Sequence, residues 1–207
     1  GAGEDAEALR AEEESPSCHV LVAWTKALSG ESTALTGLDE ACGRWDRDPA
    51  LLYARAWHLW RRGDEASAVR AVGDLLGVAP DLSEGHYVSA VLHLEVGEPE
   101  AAIGACHRVL EREPSWRAPR VTFVRALMAL DREEEALLAL DEVLVSAPGD
   151  ATFQGLRAEA LLHRAARRRD VKLRTQDLEE ALAAASRAVS ASPKAEGPLL
   201  LRARVRE

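Results

Sequence analysis

Three prolines at a constant spacing constrain the fold of this chain more than any other feature of its sequence. Pro80, Pro114 and Pro148 are separated by 34 residues each, and Pro193 follows after 45 residues, which is the same period with 11 residues added. A period of this length is typical of helical repeats, in which each repeat buries its apolar face only against its neighbours. The spacing therefore predicts an array of repeats rather than one closed core.

The segments between the prolines have the periodicity of amphipathic helices. Apolar or small residues recur at steps of three and four before each proline, over 65–80, 99–114 and 133–148. A second helical segment precedes each of these, at 49–63, 83–97 and 117–131. Since no alternating strand pattern is found, we predict more than about 70 % helix.

The two helices of each pair are separated by a residue suited to a left-handed turn. This position is occupied by Gly63, Gly97 and Asp131. A helix commonly ends with one residue in the left-handed conformation, which glycine adopts without a side-chain clash. We therefore expect the chain to reverse direction at these three residues.

These features resemble the tetratricopeptide repeat family. When Pro80, Pro114 and Pro148 are each counted as position 32, the small residue of helix B at position 20 is Ala68, Ala102 and Ala136. A small side chain there lets helices A and B approach closely. Position 4, which is often aromatic in the family, is Leu52, His86 and Arg120 and departs from the pattern. The resemblance implies an all-α fold, a right-handed superhelical solenoid of antiparallel helix pairs.

The same frame divides the chain into units. Residues 1–16 form an acidic segment that we expect to be flexible, and 17–207 are expected to form a single repeat domain. Its units are about 17–48, 49–82, 83–116, 117–150, 151–194 and a partial unit 195–207. The 11 additional residues fall in the unit 151–194, where we predict a lengthened helix A over 151–170 and a helix B over 177–193.

The resemblance also implies a binding groove. In this family the inner wall is built from helix A, chiefly from positions 2, 5, 6, 9, 12 and 13. The groove predicted from these positions consists of Tyr53, Trp57, Trp60, Arg61, Tyr87, Val91, Glu95, Thr122 and Arg125. The same mapping adds Ala54, Glu84, Val88, Leu94, Val121 and Met128 to the wall.

Aromatic residues dominate the first part of this groove. Tyr53, Trp57 and Trp60 lie at i, i+4 and i+7 and so share one helical face. Exposed aromatics with arginine nearby are typical of binding hot spots, but aromatic stripes at helical spacing also occur in cores. Both interpretations stay open at this point. Some family members hold acidic chaperone tails with a clamp that includes asparagine, and this chain contains no asparagine. The resemblance therefore favours an apolar or mixed peptide as the partner.

Charge is distributed unevenly along the chain. The net charge of -9 argues against general nucleic-acid binding, because a phosphate backbone favours a basic protein. Residues 1–16 carry six acids against Arg10, whereas 157–174 carry seven bases against Glu159 and Asp170. We interpret the basic stretch as a solvated helix extension. The alternative is a docking patch for an acidic surface, such as the segment 1–16 or a second copy, made of Arg164, Arg167, Arg168, Arg169, Lys172 and Arg174.

No catalytic, metal or cofactor site is predicted. The sequence lacks a phosphate-binding loop, a nucleophile elbow and a zinc-protease motif, and its histidines and Cys106 do not have metal-ligand spacing. Three cysteines without a C-x-x-C pattern favour a reducing compartment, so we expect a cytoplasmic location. No apolar run is long enough to span a bilayer, and the acidic start is unlike a signal peptide.

Taken together, the residues and the resemblance predict a scaffold or adaptor rather than an enzyme. It would bind a partner protein or peptide in the groove, and self-association is a further option. Two alternatives remain open: an RNA-binding helical-repeat protein, whose repeats would carry polar base-reading pairs on helix A, and a regulatory domain of a larger enzyme.

Overall fold

The structure, a computed structural model, describes residues 19–22 and 34–206. Of these described residues, 82 % are helical and none lies in a strand. The all-α prediction and the predicted helix content are therefore confirmed. The remaining residues, including the acidic segment 1–16 and 23–33 of the first predicted unit, lie outside this description.

Ten helices follow a short helical stretch at 19–22 in the described chain. Their bounds are α1 Ala34–Arg44, α2 Pro49–Arg61, α3 Glu65–Val78, α4 Ser83–Glu95, α5 Pro99–Arg112, α6 Arg117–Ala129, α7 Glu133–Ser146, α8 Ala151–Arg167, α9 Val171–Ala191 and α10 Glu196–Arg206. Short turns join α2 to α3, α4 to α5, α6 to α7 and α8 to α9, so the helices follow one another as four A and B pairs.

Two compact units make up the described chain. The first takes α1 to α4 and the last part of α5 (His107–Pro114), and the second takes Pro99–Cys106 together with α6 to α10. Within each unit, A and B helices pack together, as α2 does with α3 and α8 with α9. Neighbouring A helices also pack together, namely α2 with α4, α6 with α8, and α8 with α10. That 17–207 form one repeat domain stays a prediction.

The small residue at position 20 of helix B is shielded from solvent throughout. Ala68, Ala102 and Ala136 are completely buried. Ala181, which takes the same place in α9 when counted back from Pro193, is also completely buried. Because a larger side chain has no room in a close-packed interior, the 34-residue pattern reports a real packing requirement at this position.

The turns between paired helices contain the expected left-handed residues. Gly63 has φ 78°, Gly97 has φ 81°, and Asp131 is the one non-glycine residue with positive φ in the described chain, at 59°. Aspartate tolerates this conformation better than most side chains, although less well than glycine. The prediction for these three turn residues is confirmed.

Position 4, where the sequence departs from the family pattern, closes the preceding turn. Nε2 of His86 donates a hydrogen bond to the carbonyl oxygen of Pro80 at 2.7 Å. In the fourth pair, Nε2 of Gln154 donates to the carbonyl oxygen of Pro148 at 2.7 Å. Both side chains are buried, so each satisfies a carbonyl that would otherwise lack a donor.

The 11 additional residues are shared between both helices of the fourth pair. The A helices α2, α4 and α6 have 13 residues and α8 has 17, whereas the B helices α3, α5 and α7 have 14 and α9 has 21. The predicted bounds are wrong here, since α8 ends at Arg167 and α9 begins at Val171. The reason is Asp170, whose carboxylate accepts a hydrogen bond from the Leu173 N–H at 3.0 Å and caps the new helix.

Candidate functional site

The candidate site in the first unit is a face formed by two neighbouring A helices. We call it the α2–α4 face and define it by Tyr53, Trp57, Trp60 and Arg61 on α2 and Glu84, Tyr87, Val91 and Glu95 on α4. The four aromatic side chains and Val91 are half-buried, whereas Arg61, Glu84 and Glu95 are exposed. The aromatics are therefore neither fully in the core nor fully in solvent.

An apolar cavity opens at the end of this face where both helices begin. It has a volume of about 460 Å³ and is lined by Val20, Pro49, Ala50, Tyr53, Leu82 and Glu84. Among the described residues that line it, Glu84 is the only charged one. Burial and the nearby carboxylate of Glu84 both raise the pKa of the Tyr53 hydroxyl above its ordinary value. A cavity of this size and lining suits one large apolar side chain.

Hydrogen bonds and ring contacts hold the middle of the face. Nε1 of Trp60 donates to Oε2 of Glu95 at 2.5 Å and so links α2 to α4. The guanidinium of Arg61 lies 4.8 Å from the centre of the Trp57 ring, within the range of a cation–π contact. Tyr53 and Trp60 also pack against the core residues of this unit. These two aromatics thus keep one side on the protein and present the other to the surface.

Position 6 of helix A does not belong to the accessible face. Ala54, Val88 and Thr122 occupy it in the first three pairs, and all three are buried. The hydroxyl of Thr122 donates to the Ala118 carbonyl one turn earlier at 3.2 Å. Thr122 is therefore turned toward the core. The family pattern predicts it in the groove because that pattern assigns position 6 of helix A to the inner wall together with positions 5 and 9.

Arg125 belongs to a separate pocket in the second unit. This α8–α10 pocket has a volume of about 270 Å³ and is lined by Arg125, Ala151, Thr152, Gly155, Leu156, Glu159, Ser192, Ala195, Gly197, Pro198 and Leu201. Its lining carries both charges, on Arg125 and Glu159, beside the apolar side chains of Leu156 and Leu201. Such a pocket suits a mixed polar and apolar group.

Sequence reasoning missed several lining residues in both units. Thr152, Gly155 and Glu159 stand at positions 2, 5 and 9 of α8, so continuing the 34-residue frame by one unit would have found them. Ala50 stands at position 2 of α2 and could have been found in the same way. Val20 and Leu82 lie outside helix A of the repeats concerned, and no periodic signal marks them.

The basic insertion is less solvated than predicted. Arg164 and Arg168 both bind the carboxylate of Asp177, at 2.7 and 3.1 Å, and the Asp177 side chain is only 1 % exposed. Arg167 pairs with Asp131 in the turn between α6 and α7. The interpretation as a solvated extension is therefore wrong for Arg164 and Arg168, because their partner is buried. Arg169, Lys172 and Arg174 are exposed.

Two other kinds of site have no counterpart among the described residues. No group of three or more histidine, cysteine, aspartate or glutamate side chains in them is arranged to hold a metal ion. None of the described helices is both long and apolar enough to cross a membrane. Cys106 is buried in α5, and burial raises the pKa of its thiol to about 12.

The successive helix pairs define the class of fold, an α-helical repeat. In the comparison with known proteins, residues 93–160 match the tetratricopeptide repeat model. Curated protein sequences gave no match. By sequence, the match to the tetratricopeptide repeat model covers 93–160, and by fold the described helices are similar to solved tetratricopeptide repeat structures.

Solved structures of other repeat proteins share this fold at low sequence identity. MamA residues 41 to the end, from Desulfovibrio magneticus RS-1, has a TM-score of 0.73 and 15 % identity, covering 87 % of this chain and 96 % of that one. YrrB, described as a TPR protein with an unusual peptide-binding site, has a TM-score of 0.69 and 16 % identity, covering 96 % and 97 %. TTC0263, a TPR protein of Thermus thermophilus, has a TM-score of 0.61 and 19 % identity, covering 93 % and 97 %.

Proposed function

We propose that this chain is a protein-interaction scaffold whose α2–α4 face binds a peptide segment of a partner protein. The fold is one that supports such scaffolds in general. The observation that carries the finer proposal is the apolar cavity beside Tyr53, whose described lining residues include a single charge, on Glu84. The segment that fits it has a large apolar side chain next to lysine or arginine.

The half-buried aromatics support a peptide over other ligands. Aromatic side chains that are anchored on one side lose little conformational entropy on binding, and they dominate the energetics of many interfaces. The face carries two exposed carboxylates, of Glu84 and Glu95, against the guanidinium of Arg61. This balance disfavours a phosphate backbone and so supports a peptide rather than RNA as the partner. YrrB, which shares the fold, is described as having a peptide-binding site.

The test is a selection of random dodecapeptides on the immobilised chain, followed by binding measurements on the selected sequences. We expect a large apolar residue beside lysine or arginine to be enriched. Tyr53→Ala should weaken binding by about 2 kcal/mol or roughly 30-fold, as for a hot-spot aromatic. Val145→Ala is the matched control, because Val145 is 85 % exposed on α7 and far from this face in the chain.

Glu84→Lys separates loss of binding from loss of folding. Glu84 is exposed, so the substitution should leave the melting temperature almost unchanged. We expect peptides selected on this variant to carry an acidic residue in place of the basic one. Selected peptides that bind Tyr53→Ala and Glu84→Lys as tightly as the unmodified chain would refute the proposal.

A further inference from the structure

The basic insertion contains two groups of charges with different surroundings. Arg164, Arg167 and Arg168 are bound to carboxylates of their own unit. Arg169, Lys172 and Arg174 are exposed, and no carboxylate within 34–206 forms an ion pair with any of them. We define the 169–174 patch as these three residues together with Val171 and Leu173. The structure accounts for the first group of bases and leaves the second without a role in folding.

Exposed apolar side chains lie between the unpaired bases. Val171 is 64 % exposed and Leu173 is 44 % exposed, in the first turn of α9. This turn is at the tip of the lengthened pair, which extends roughly 6 Å beyond a regular pair at 1.5 Å for each of the four residues added to α8. Bases in the first turn of a helix also oppose its dipole. Exposed apolar side chains set among bases that oppose the helix dipole indicate a surface that binds a partner.

The sequence contains a segment of matching chemistry. Residues 1–16 carry six acids and one base, and Leu9 stands among the acids as Val171 and Leu173 stand among the bases. The segment has six acids against one base, and the patch range 169–174 has three bases against Asp170, so the two carry opposite net charge and attract each other.

We propose that the 169–174 patch binds the acidic segment 1–16. Charge complementarity brings the segment to the patch, and burial of Leu9 against Val171 and Leu173 adds apolar contact. The occupant is this segment. The proposal is independent of the peptide site on the α2–α4 face.

The three lysines of the chain provide a direct test in the full-length protein. They are Lys26, Lys172 and Lys194. A carbodiimide joins a carboxylate to an amine only when the two are in contact, so cross-linking followed by peptide mass spectrometry shows which acids meet Lys172. Lys194 is the matched control, since it is exposed in the same unit and lies outside the patch. Mixing chains labelled with ¹⁵N and unlabelled chains distinguishes links within a chain from links between copies.

We expect links from Lys172 to acids of 1–16 to exceed those from Lys194 by roughly tenfold, the lower end of what electrostatic attraction does to local concentration. The excess should disappear at about 0.5 M NaCl, where screening acts over a few ångströms. Equal linking of Lys172 and Lys194 to the segment would overturn the proposal. Links that join Lys172 chiefly to Glu134 or Glu142 of a second copy would also overturn it, because the occupant would then be the acidic outer side of α7.

Two sets of variants separate the charge pattern from the reactivity of the amine. Arg169→Gln with Arg174→Gln keeps Lys172 and removes the neighbouring bases, so the links to 1–16 should fall severalfold while those of Lys194 stay constant. Glu12→Gln with Glu13→Gln and Glu14→Gln should have the same effect from the other side. All five residues are either exposed or outside the described chain, and circular dichroism checks that the helices persist. Unchanged linking in both sets would refute the proposal.

Discussion

The regular pair α2–α3 and the lengthened pair α8–α9 share the buried contact between their helices but differ in the turn and the polar contacts that hold them. Both keep a completely buried alanine at position 20 of helix B, Ala68 in one and Ala181 in the other. The regular pair turns through the left-handed Gly63, whereas the lengthened pair turns at Asp170 and holds its added length by ion pairs to the buried Asp177. The difference shows that apolar spacing decides how the two helices meet and that polar contacts decide how long they are.

The largest expected effect is the loss of both bases that bind Asp177. The double variant Arg164→Ala and Arg168→Ala leaves a buried carboxylate without a counter-ion, and this should lower the free energy of unfolding by about 3–5 kcal/mol. Urea unfolding followed by circular dichroism measures it. The control Arg112→Ala removes an exposed ion pair to Asp81 and should cost less than about 1 kcal/mol. Equal losses in the two variants would mean that ion pairs do not hold the lengthened pair.

Overpacking at the alanine positions tests the feature that the two kinds of pair share. Ala68→Leu in the regular pair and Ala181→Leu in the lengthened pair should each cost about 1–3 kcal/mol of stability, because neither site has room for the added side chain. Thermal unfolding of the two variants under one set of conditions gives the comparison. If Ala181→Leu were tolerated and Ala68→Leu were not, the lengthened pair would be packed differently from the regular one.

The turn residues test the feature in which the pairs differ. Gly63→Ala places a side chain at φ 78° and should cost about 1–2 kcal/mol. Gly73→Ala is the control, since it lies within α3 with open space around its Cβ position and should be neutral or slightly stabilising. Asp131→Gly relieves the strain of the left-handed backbone but removes the ion-pair partner of Arg167. Its net effect on stability should therefore be smaller than that of Gly63→Ala. Chemical denaturation of the three variants ranks them, and a cost at Gly73 equal to that at Gly63 would contradict the turn argument.

The smallest effects are expected at position 4. His86→Leu removes one hydrogen bond to the Pro80 carbonyl and should cost about 1 kcal/mol. Gln154→Leu removes the bond to the Pro148 carbonyl and also the bond that Arg187 Nε donates to the side-chain oxygen at 3.2 Å, so it should cost more. Melting temperatures of the two variants measure these costs. A larger loss of stability in His86→Leu than in Gln154→Leu would show that the contact with Arg187 adds no stability.

Those parts of the fold that depend on periodic apolar residues could be predicted from the sequence. The helix pairs, the buried alanines and the left-handed turns all follow from the 34-residue frame, because packing and backbone sterics act on each repeat alike. The new start of α9 at Val171 does not follow from it. That start depends on the cap at Asp170 and on the ion pairs of Arg164 and Arg168 with Asp177. These contacts occur once in the chain and do not recur at the 34-residue period, so the repeat pattern does not reveal them.

The candidate site was predictable to a similar degree. The frame placed Tyr53 and Glu84 on neighbouring A helices, and both line the cavity of the first unit. It could not show that position 6 points inward, since a helix of period 3.6 puts positions 5, 6 and 9 within one broad arc and only the neighbouring helix decides which of them is covered. The error at Thr122 has this origin. That the α2–α4 face binds a peptide stays a prediction.

The division of the insertion into four and seven residues has a consequence for how such a repeat can grow. At 3.6 residues per turn, four residues rotate a helix by about 400° and seven by about 700°, each within roughly 40° of whole revolutions. Each added segment therefore returns the side chains beyond it to nearly the same angular phase, and Ala181 stays in the core of the pair. Additions of two or five residues would leave the phase about half a revolution off and turn the apolar stripe outward. Segments of four and seven residues are thus the natural increments for lengthening or shortening a helix pair by engineering.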